Sequence, residues 1–363
     1  MIYLFTFVVV TVILALAPRR RPPGEVGWSA RLPPISAGWL LPALIVTAVV
    51  GLRQHTGTDY ARYLDHFAFI RDGVGPLFRE PAYTAGAALV AQLGGSAELY
   101  LLLLAAVTNL VLFHVIRREG GDYAALFAAG VFGLGLVLIQ VNLVRQAVAV
   151  ALVALAMTRI WRGGLVSYTG LIVLAAGFHY SALLFYPLYW LTRLPVGLFH
   201  VHVLCLLALL AFFFPGTLIA ALETLEYGLP GPASVVAATI AERGPQINSG
   251  IGVLLTFVVG YVGLCLFHQS GRPATLRERA VSNLALLALV LDAALANLFL
   301  LQRLSIYLMP FMALLFVLLA ERYREPTGRR LLISGVLTAF AARFAWDVVT
   351  GTHGAVPWSS LLH

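Results

Sequence analysis

Residues 97–116 read AELYLLLLAAVTNLVLFHVI, an apolar run in which Glu98 is the one residue charged at neutral pH. A helix of about 20 residues rises about 30 Å, which matches the hydrocarbon core of a bilayer. Similar runs recur along the 363 residues, of which 60% are hydrophobic and only 11% are charged. Soluble domains are about 25% charged. The sequence therefore excludes a soluble enzyme and predicts an all-α polytopic membrane protein.

Arginine clusters between the apolar runs indicate the topology. All 24 basic residues are arginine, and clusters of positive charge mark cytoplasmic loops. Placing them on that side predicts about 12 transmembrane helices, with both ends of the chain outside. The predicted spans are 2–17, 37–52, 97–116, 123–139, 143–160, 165–178, 181–192, 198–214, 250–268, 281–300, 304–320 and 331–348.

Two further segments need a separate interpretation. Residues 81–93 are too few to cross a bilayer comfortably, so they predict a short re-entrant or interfacial helix. Residues 165–191 would suffice for one tilted helix, but a single crossing would put the next arginine-rich loop outside. We therefore predict two short helices with a break near Phe178 and His179. The whole chain, residues 1–363, is predicted to form a single transmembrane domain.

Two segments on the predicted outer side, residues 53–96 and 215–249, are long enough to do more than connect helices. We expect them to form the roof of an active site. The first contains a predicted surface helix with one apolar face, made of Tyr60, Tyr63, Leu64, Phe67 and Ile70. Its other face is largely polar and consists of Asp59, Arg62, His66 and Arg71. This pattern is typical of a helix that lies on a membrane surface.

The charge and the cysteines exclude several classes of function. A net charge of +8 would suggest a nucleic-acid partner in a soluble protein, but these arginines act as topology signals, so no nucleic-acid partner is predicted. Cys205 and Cys265 both lie within apolar runs, which supports neither a disulfide nor a thiolate metal site. The sequence contains no phosphate-binding loop and no cluster of metal ligands. We predict no metal and no cofactor.

Two arginines on the predicted outer side are candidates for binding an anion. Arg145 lies near the start of an apolar run, with Asn142 and Gln146 beside it, and Arg303 lies where one predicted span turns into the next. Either side chain could simply extend to the lipid head groups. However, the positive-inside bias disfavours arginine on the outer side. A pair of guanidinium groups suits a pyrophosphate, whose oxygens arginine can bind bidentately.

His179 and Asp59 are the candidates for handling a proton. His179, at the predicted helix break, would face the outer aqueous opening, and histidine exchanges protons near neutral pH. It could instead be a hydrogen-bonded structural residue. Asp59 could be a general base or bind a sugar hydroxyl, or it could only favour the start of the surface helix. Arg53 and Glu80 add polar groups to the same loop, although Glu80 precedes a proline and could simply cap the next helix.

Five stretches in this order resemble the EpsG family of bacterial exopolysaccharide proteins, which are related in role to Wzy polymerases. They are GLRQHTGTDYARYLDHF (51–67), REPAY (79–83), NLVRQAVAVALVALA (142–156), GFHYSALLFYPLY (177–189) and RLSIYLMPF (303–311). Together they span most of the chain. The resemblance implies a GT-C-like, multi-pass polymerase of the bacterial inner membrane, with its active site facing the periplasm. Its substrate would be repeat units linked to undecaprenyl pyrophosphate.

In such a reaction the growing glycan leaves its lipid pyrophosphate and joins a hydroxyl of the next repeat unit. The resemblance places Asp59, Arg145, His179 and Arg303 at the family's characteristic polar positions. We predict that Arg145 and Arg303 bind the pyrophosphate and that either His179 or Asp59 accepts the proton, without a metal and with inversion of the anomeric carbon. The predicted substrate-binding residues are Arg53, Tyr60, Tyr63, Glu80, Asn142 and Gln146.

Other functions remain open at this level. A glycan ligase or a single-sugar transferase would use the same polyprenyl-linked donor. A lipid-linked oligosaccharide flippase would need a large polar cavity, and a membrane acyltransferase would need a histidine and an arginine in an early span. The expected partners are the polyprenyl-pyrophosphate-linked glycan, membrane lipids, a flippase, and chain-length or export proteins.

Overall fold

The computed structural model describes residues 1–17, 37–76, 78–216 and 250–360. Most of the second predicted roof segment, residues 217–249, lies outside these ranges, as does the arginine-rich segment after the first predicted span. The described chain is almost entirely helical, which confirms the all-α class. It divides into two compact units. The first comprises Met1–Leu191 with Phe316–His363, and the second comprises Thr192–Leu315.

The first unit contains the predicted surface helix and most of the apolar helices before it and after it. Its helices are α1 (Ile2–Leu16), α2 (Ala37–Gly51), α3 (Tyr60–Arg71), α4 (Pro81–Gln92), α5 (Ala97–Gly120), α6 (Ala124–Gly133), α7 (Leu136–Ile139), α8 (Val144–Met157), α9 (Leu165–Phe178) and α10 (Leu188–Leu191). Short 3-10 helices occupy Gly121–Tyr123, Tyr180–Phe185 and Thr352–Gly354.

The second unit contains α11 (Leu198–Phe213), α12 (Ile251–Gln269), α13 (Leu276–Ala294), α14 (Phe299–Gln302) and the 3-10 helix Ser305–Tyr307. Helix α15 (Met309–Arg322) passes from the second unit into the first, and α16 (Pro326–Val349) belongs to the first. A single domain over residues 1–363 stays a prediction.

Four helical segments of the described chain are long and apolar enough to cross a membrane: Ala97–Gly133, Ile251–Gln269, Ser305–Arg322 and Pro326–Val349. Five shorter apolar helices accompany them: Ile2–Leu16, Gly38–Gly51, Val144–Met157, Leu165–Phe178 and Leu198–Phe213. These helices identify a membrane protein. The predicted number of about 12 spans and the GT-C-like class stay predictions.

The helix break predicted near His179 is confirmed. Helix α9 ends at Phe178, and His179 has an extended backbone with φ −157° and ψ 114°. The second predicted short helix, over 181–192, is not continuous, because the chain there forms a 3-10 helix and then the four-residue α10. Pro187 stands between the two short helices and lacks the backbone N–H that a continuous helix would use. The Tyr168 hydroxyl donates to the Phe185 carbonyl over 2.6 Å and holds this irregular segment against α9.

Two apolar helices of the first unit pack through a glycine. Gly133, the last residue of α6, lies against Phe340 of α16 so closely that a Cβ atom there would approach the Phe340 Cα to 2.7 Å. Three phenylalanines surround this crossing, with ring centroids 5.4–5.6 Å apart: Phe7, Phe132 and Phe344. Such aromatic contacts stabilise a close-packed core.

The end of the chain closes over the beginning of the predicted roof. Strand β1 (Arg53–Gln54) pairs antiparallel with β2 (Ser359–Ser360). The Trp358 indole N–H donates to the Val49 carbonyl over 3.0 Å, and the Gly57 N–H donates to the Gly354 carbonyl over 3.0 Å. The C-terminal segment therefore positions the loop that leads into α3.

Gly133→Ala should destabilise the protein by about 1–3 kcal/mol, because the new methyl group must push two helix backbones apart. The matched control is Gly335→Ala in α16, where a Cβ would meet nothing within 4 Å. Alanine is the better helix former, so the control should be neutral or slightly stabilised. The measurement is the thermal loss of the monodisperse size-exclusion peak in detergent. Equal midpoints for the two variants would contradict the close approach.

Candidate functional site

Helix α3 presents the predicted faces, with one exception. Tyr60, Tyr63 and Phe67 are buried, whereas Arg62 and Arg71 are exposed. His66 was expected on the polar face, and that expectation is wrong, because its exposed fraction is 0%. His66 comes three residues after Tyr63, and this helical spacing is the signal that could have placed it on the buried face.

His66 is held inside the unit by the residues just before α4. Its Nδ1 accepts a hydrogen bond of 3.2 Å from the Phe78 N–H. Its ring centroid lies 4.7 Å from that of Phe78 and 5.1 Å from that of Tyr83. Burial, helped by the positive charge of Arg145, lowers the pKa of His66 to about 4. At neutral pH His66 is therefore an uncharged part of an aromatic wall.

Glu80 joins the three segments that the sequence singled out for chemistry. One carboxylate oxygen, Oε1, lies 2.5 Å from Arg145 Nη1 and 3.3 Å from His179 Nδ1. Glu80 immediately precedes α4, Arg145 lies in the first turn of α8, and His179 directly follows α9. The side chains are 8%, 18% and 27% exposed, respectively. A carboxylate, a guanidinium and an imidazole thus converge, and the imidazole is the most accessible of the three.

The environment keeps Glu80 ionised. Burial alone would raise the pKa of its carboxyl group. The hydrogen bond with His179 and the positive charge of Arg145 together outweigh burial, and the pKa of Glu80 lies below its ordinary value. The neighbouring residues add a further contact between the two segments: the hydroxyl of Tyr180, which follows His179, donates to the carbonyl of Arg79, which precedes Glu80, over 2.8 Å. The carboxylate is therefore fixed in place as an anion.

The Phe78 ring is close to two guanidinium groups. The Arg145 guanidinium carbon is 3.7 Å from the centroid of the Phe78 ring, and that of Arg62 is 5.4 Å from the same centroid. Both distances are within the range of cation–π contacts. Because both distances are measured from the same ring centroid, the two guanidinium carbons are at most about 9 Å apart. Sequence reasoning treated Arg62 only as part of a solvated helix face and missed this placement.

Asn142 connects the surface helix to the beginning of α8. Its side-chain oxygen accepts hydrogen bonds from the Thr58 hydroxyl over 2.7 Å and from the Asp59 N–H over 2.9 Å. Its carbonyl accepts a bond of 3.0 Å from the Tyr63 hydroxyl. Gly57 allows this approach, because it has φ +99° and a Cβ there would overlap the Val141 carbonyl oxygen. Tyr63 and Asn142, both predicted to bind substrate, are thus engaged with each other.

The remaining predicted residues of the loop occupy different environments. Asp59 takes the N-cap position of α3, although its side chain does not cap the helix. Tyr60 is buried, and its ring lies 5.8 Å from the Arg53 guanidinium carbon. Arg53 is 1% exposed and donates to the Val50 carbonyl over 2.6 Å and the Thr56 carbonyl over 3.2 Å. Arg53 therefore helps to hold the loop, and its predicted contact with substrate stays a prediction.

Gln146 and Arg303 are the remaining predicted residues. Gln146 is buried directly after Arg145 in α8. Arg303 belongs to the second unit, between α14 and the 3-10 helix Ser305–Tyr307. In that unit the Ser305 hydroxyl donates to the Asp292 carboxylate over 3.0 Å. The pyrophosphate role of Arg303 stays a prediction. Among the residues that the structure describes, no group of three His, Cys, Asp or Glu side chains is arranged to hold a metal.

Glu80→Gln should destabilise the protein at pH 7 by about 3 kcal/mol, because it leaves a largely buried Arg145 without its counter-ion. The pKa of Glu80 is lower in the folded chain than its ordinary value of 4.5. Its stabilising effect is therefore complete above that value and is lost as the pH falls through the folded pKa. Thermal unfolding in detergent should show the gap between variant and wild type at pH 7 closing at low pH.

Asp65→Asn is the matched control, because Asp65 is an exposed carboxylate of α3. Its midpoint should follow that of the wild type at both pH values. A gap for Glu80→Gln that is as large at pH 3 as at pH 7 would contradict the ion pair.

Comparison with known proteins identifies one family. The sequence profile of the EpsG family matches residues 37–360, a range that includes Glu80, Arg145, His179 and Arg303. No curated protein and no solved structure matches the chain. The family match covers most of the chain and both compact units, and it agrees with the apolar helices of a membrane protein. The chain therefore belongs to the EpsG family, which indicates a polymerase-like function in exopolysaccharide synthesis.

Proposed function

We propose that the protein is a polymerase of lipid-linked oligosaccharide repeat units. It transfers a glycan from undecaprenyl pyrophosphate to a hydroxyl of the next repeat unit. One observation carries the proposal: the Glu80 oxygen that contacts both Arg145 and His179. This arrangement combines a group that can take a proton with a cation that can stabilise a leaving diphosphate.

His179 is the proposed general base. Glu80 contacts Nδ1 of the imidazole, which favours the tautomer with hydrogen on Nδ1 and leaves Nε2 to accept a proton. The sequence left His179 and Asp59 as alternatives. The paired carboxylate and the exposed fraction of 27% favour His179, whereas Asp59 stands at the beginning of a helix with its N–H bound to Asn142. Glu80 acts as a positioning residue.

In the proposed reaction the acceptor hydroxyl oxygen forms a bond to the anomeric carbon of the donor glycan. The bond from that carbon to the pyrophosphate oxygen breaks, and its electron pair leaves with the diphosphate. The hydroxyl proton passes to His179 Nε2. A direct displacement of this kind inverts the anomeric configuration. Arginine supplies the positive charge, and no metal takes part in the proposal.

Arg145 is the proposed main ligand of the diphosphate. Phe78 and Glu80 fix the orientation of its guanidinium group. The Arg145 side chain is 18% exposed, so part of its guanidinium group is accessible to a ligand oxygen. Arg62, on the same aromatic ring, supplies a second and more exposed cation. From sequence alone, Arg303 is a further candidate for the same role.

The proposed location is the bacterial inner membrane, with the Glu80 site facing the periplasm. The support is the position of the arginine clusters in the sequence, which places residues 53–96 on the outer side. On this orientation the donor lipid reaches the site from the outer leaflet. A flippase would supply the donor, and chain-length or export proteins would receive the product.

A glycan ligase or single-sugar transferase is the alternative, because the same donor chemistry would serve a different acceptor. A flippase finds less support, since the Glu80 group is suited to a chemical step. The products separate the first two: a polymerase yields a ladder of glycan lengths from one kind of repeat unit, whereas a ligase yields single transfers to another acceptor.

Arg145→Ala should lower the polymerisation rate by about 100-fold or more, because a preorganised cation at a leaving group contributes about that much. Arg145→Lys should be intermediate, since lysine keeps the charge but loses the planar group. Arg62→Ala should cost less, about tenfold. The assay follows glycan length from purified lipid-pyrophosphate repeat units. Arg71→Ala, at an exposed arginine of α3, is the control, and a loss there equal to that of Arg145→Ala would refute a specific role.

His179→Ala should lower the single-turnover rate by about 10²–10⁴-fold, as expected for the loss of a general base. His200→Ala, at an exposed histidine of α11, should retain wild-type activity. Asp59→Asn tests the alternative base. If Asp59→Asn abolishes turnover while His179→Ala does not, the assignment of the base is wrong.

A further inference from the structure

A second group of arginines lies at the other end of the same unit. Arg117 and Arg118 are in the last turn of α5, and Arg159 and Arg162 follow the end of α8. We call these four residues the basic end cluster. Helix α8 has 14 residues, so the cluster lies about 20 Å from the Arg145 end of that helix. It is therefore separate from the Glu80 site.

Two members of the cluster are held by protein groups. Arg162 forms an ion pair with Glu119 and donates to the Thr158 hydroxyl over 3.1 Å. Arg117 donates to the Gly121 carbonyl over 3.4 Å and is buried. Glu119 is itself buried, so its charge is used within the fold. These contacts build a rigid base for the two remaining arginines.

Glu119 compensates only part of the positive charge of Arg159 and Arg118. Arg159 Nε is buried and has no hydrogen-bond partner within the described chain. Arg118 is exposed. A buried donor without a partner is costly, which points to an anion bound from outside the chain.

A tryptophan marks the depth at which this cluster lies. The Trp39 ring, near the start of α2, is 6.1 Å from the ring of His114, which is one helical turn before Arg118. Tryptophan is enriched at the level of the lipid head groups. Arginine binds phosphate oxygens bidentately, and the phosphates found at this level of a membrane are those of the lipid head groups.

We propose that the basic end cluster binds the phosphate of an anionic lipid head group, with Arg159 and Arg118 as the ligands. The site lies at the opposite membrane surface from the polymerisation chemistry and does not depend on it. Bound lipid compensates the excess positive charge and joins the ends of α5 and α8. The protein should therefore be more stable in anionic bilayers than in zwitterionic ones.

The test uses the full-length protein in detergent, with bound lipid counted by native mass spectrometry and stability measured by thermal unfolding. Phosphatidylglycerol should bind at one saturable site and raise the unfolding temperature, whereas phosphatidylcholine should not. Arg159→Gln should weaken phosphatidylglycerol binding about tenfold, the effect of losing a charged hydrogen bond. Arg159→Lys keeps the charge and should be intermediate.

Arg330→Gln is the matched control, because it removes the charge of an exposed arginine of α16. Equal loss of binding for Arg159→Gln and Arg330→Gln would show a diffuse electrostatic attraction and overturn the proposal. Inorganic phosphate provides the second arm. If it stabilises the protein as strongly as the lipid at the same concentration, the ligand is free phosphate, and the lipid assignment is overturned.

Discussion

A guanidinium group at the beginning of an apolar helix requires a counter-charge, and Glu80 supplies it to Arg145. Removing either partner would leave a poorly solvated charge, whose cost in a low-dielectric environment is several kcal/mol. The same carboxylate oxygen contacts His179, so the beginning of α4, the first turn of α8 and the end of α9 have to meet. The aromatic wall of Phe78, Tyr83 and His66 packs around this meeting point. The polar contact sets which segments meet, and the apolar contacts exclude water from one side of it.

The loop before α3 is held from two directions, and this explains why Arg53 and Thr58 of the first motif are hydrogen-bonded within the fold. Asn142, three residues before Arg145, binds the beginning of α3 from one side. From the other side the C-terminal strand pairs with Arg53 and Gln54. Arg53 is consequently buried and satisfies backbone carbonyls. A residue of the first motif can thus support the Glu80 site indirectly. It holds the loop before α3, and this loop positions Arg62 close to Phe78 and Arg145.

The sequence predicts local features of this protein well. Apolar runs indicate the helices, the spacing of Tyr60, Tyr63 and Phe67 indicates the buried face of α3, and the polar residues beside Phe178 indicate the break at His179.

The sequence does not predict contacts between distant segments. Glu80 and His179 are 99 residues apart, and no periodicity relates them, so Glu80 could be placed only among the substrate-binding residues. The position of Arg62 was missed for the same reason, since it depends on the contact with Phe78. The burial of His66, by contrast, follows the helical spacing from Tyr63 and could have been predicted. The helix predicted over 181–192 is interrupted, because hydropathy alone does not register the effect of Pro187 and of the Tyr168 hydroxyl bond.

The arginines at the two ends of the first unit differ in the partners that the fold gives them. Near Glu80 each cation has a specific partner: Arg53 has carbonyls, Arg145 has a carboxylate and a ring, and Arg62 has the same ring. A ligand that binds there must compete with a preformed contact, which favours a multiply charged anion such as a diphosphate over a monoanion. At the basic end cluster Glu119 neutralises only part of the charge, so a single negative charge suffices for binding. The positive-inside bias concerns the number of arginines in a loop. Their partners in the fold limit which anion each group can hold, and this difference is the physical basis for proposing a different phosphate at each end.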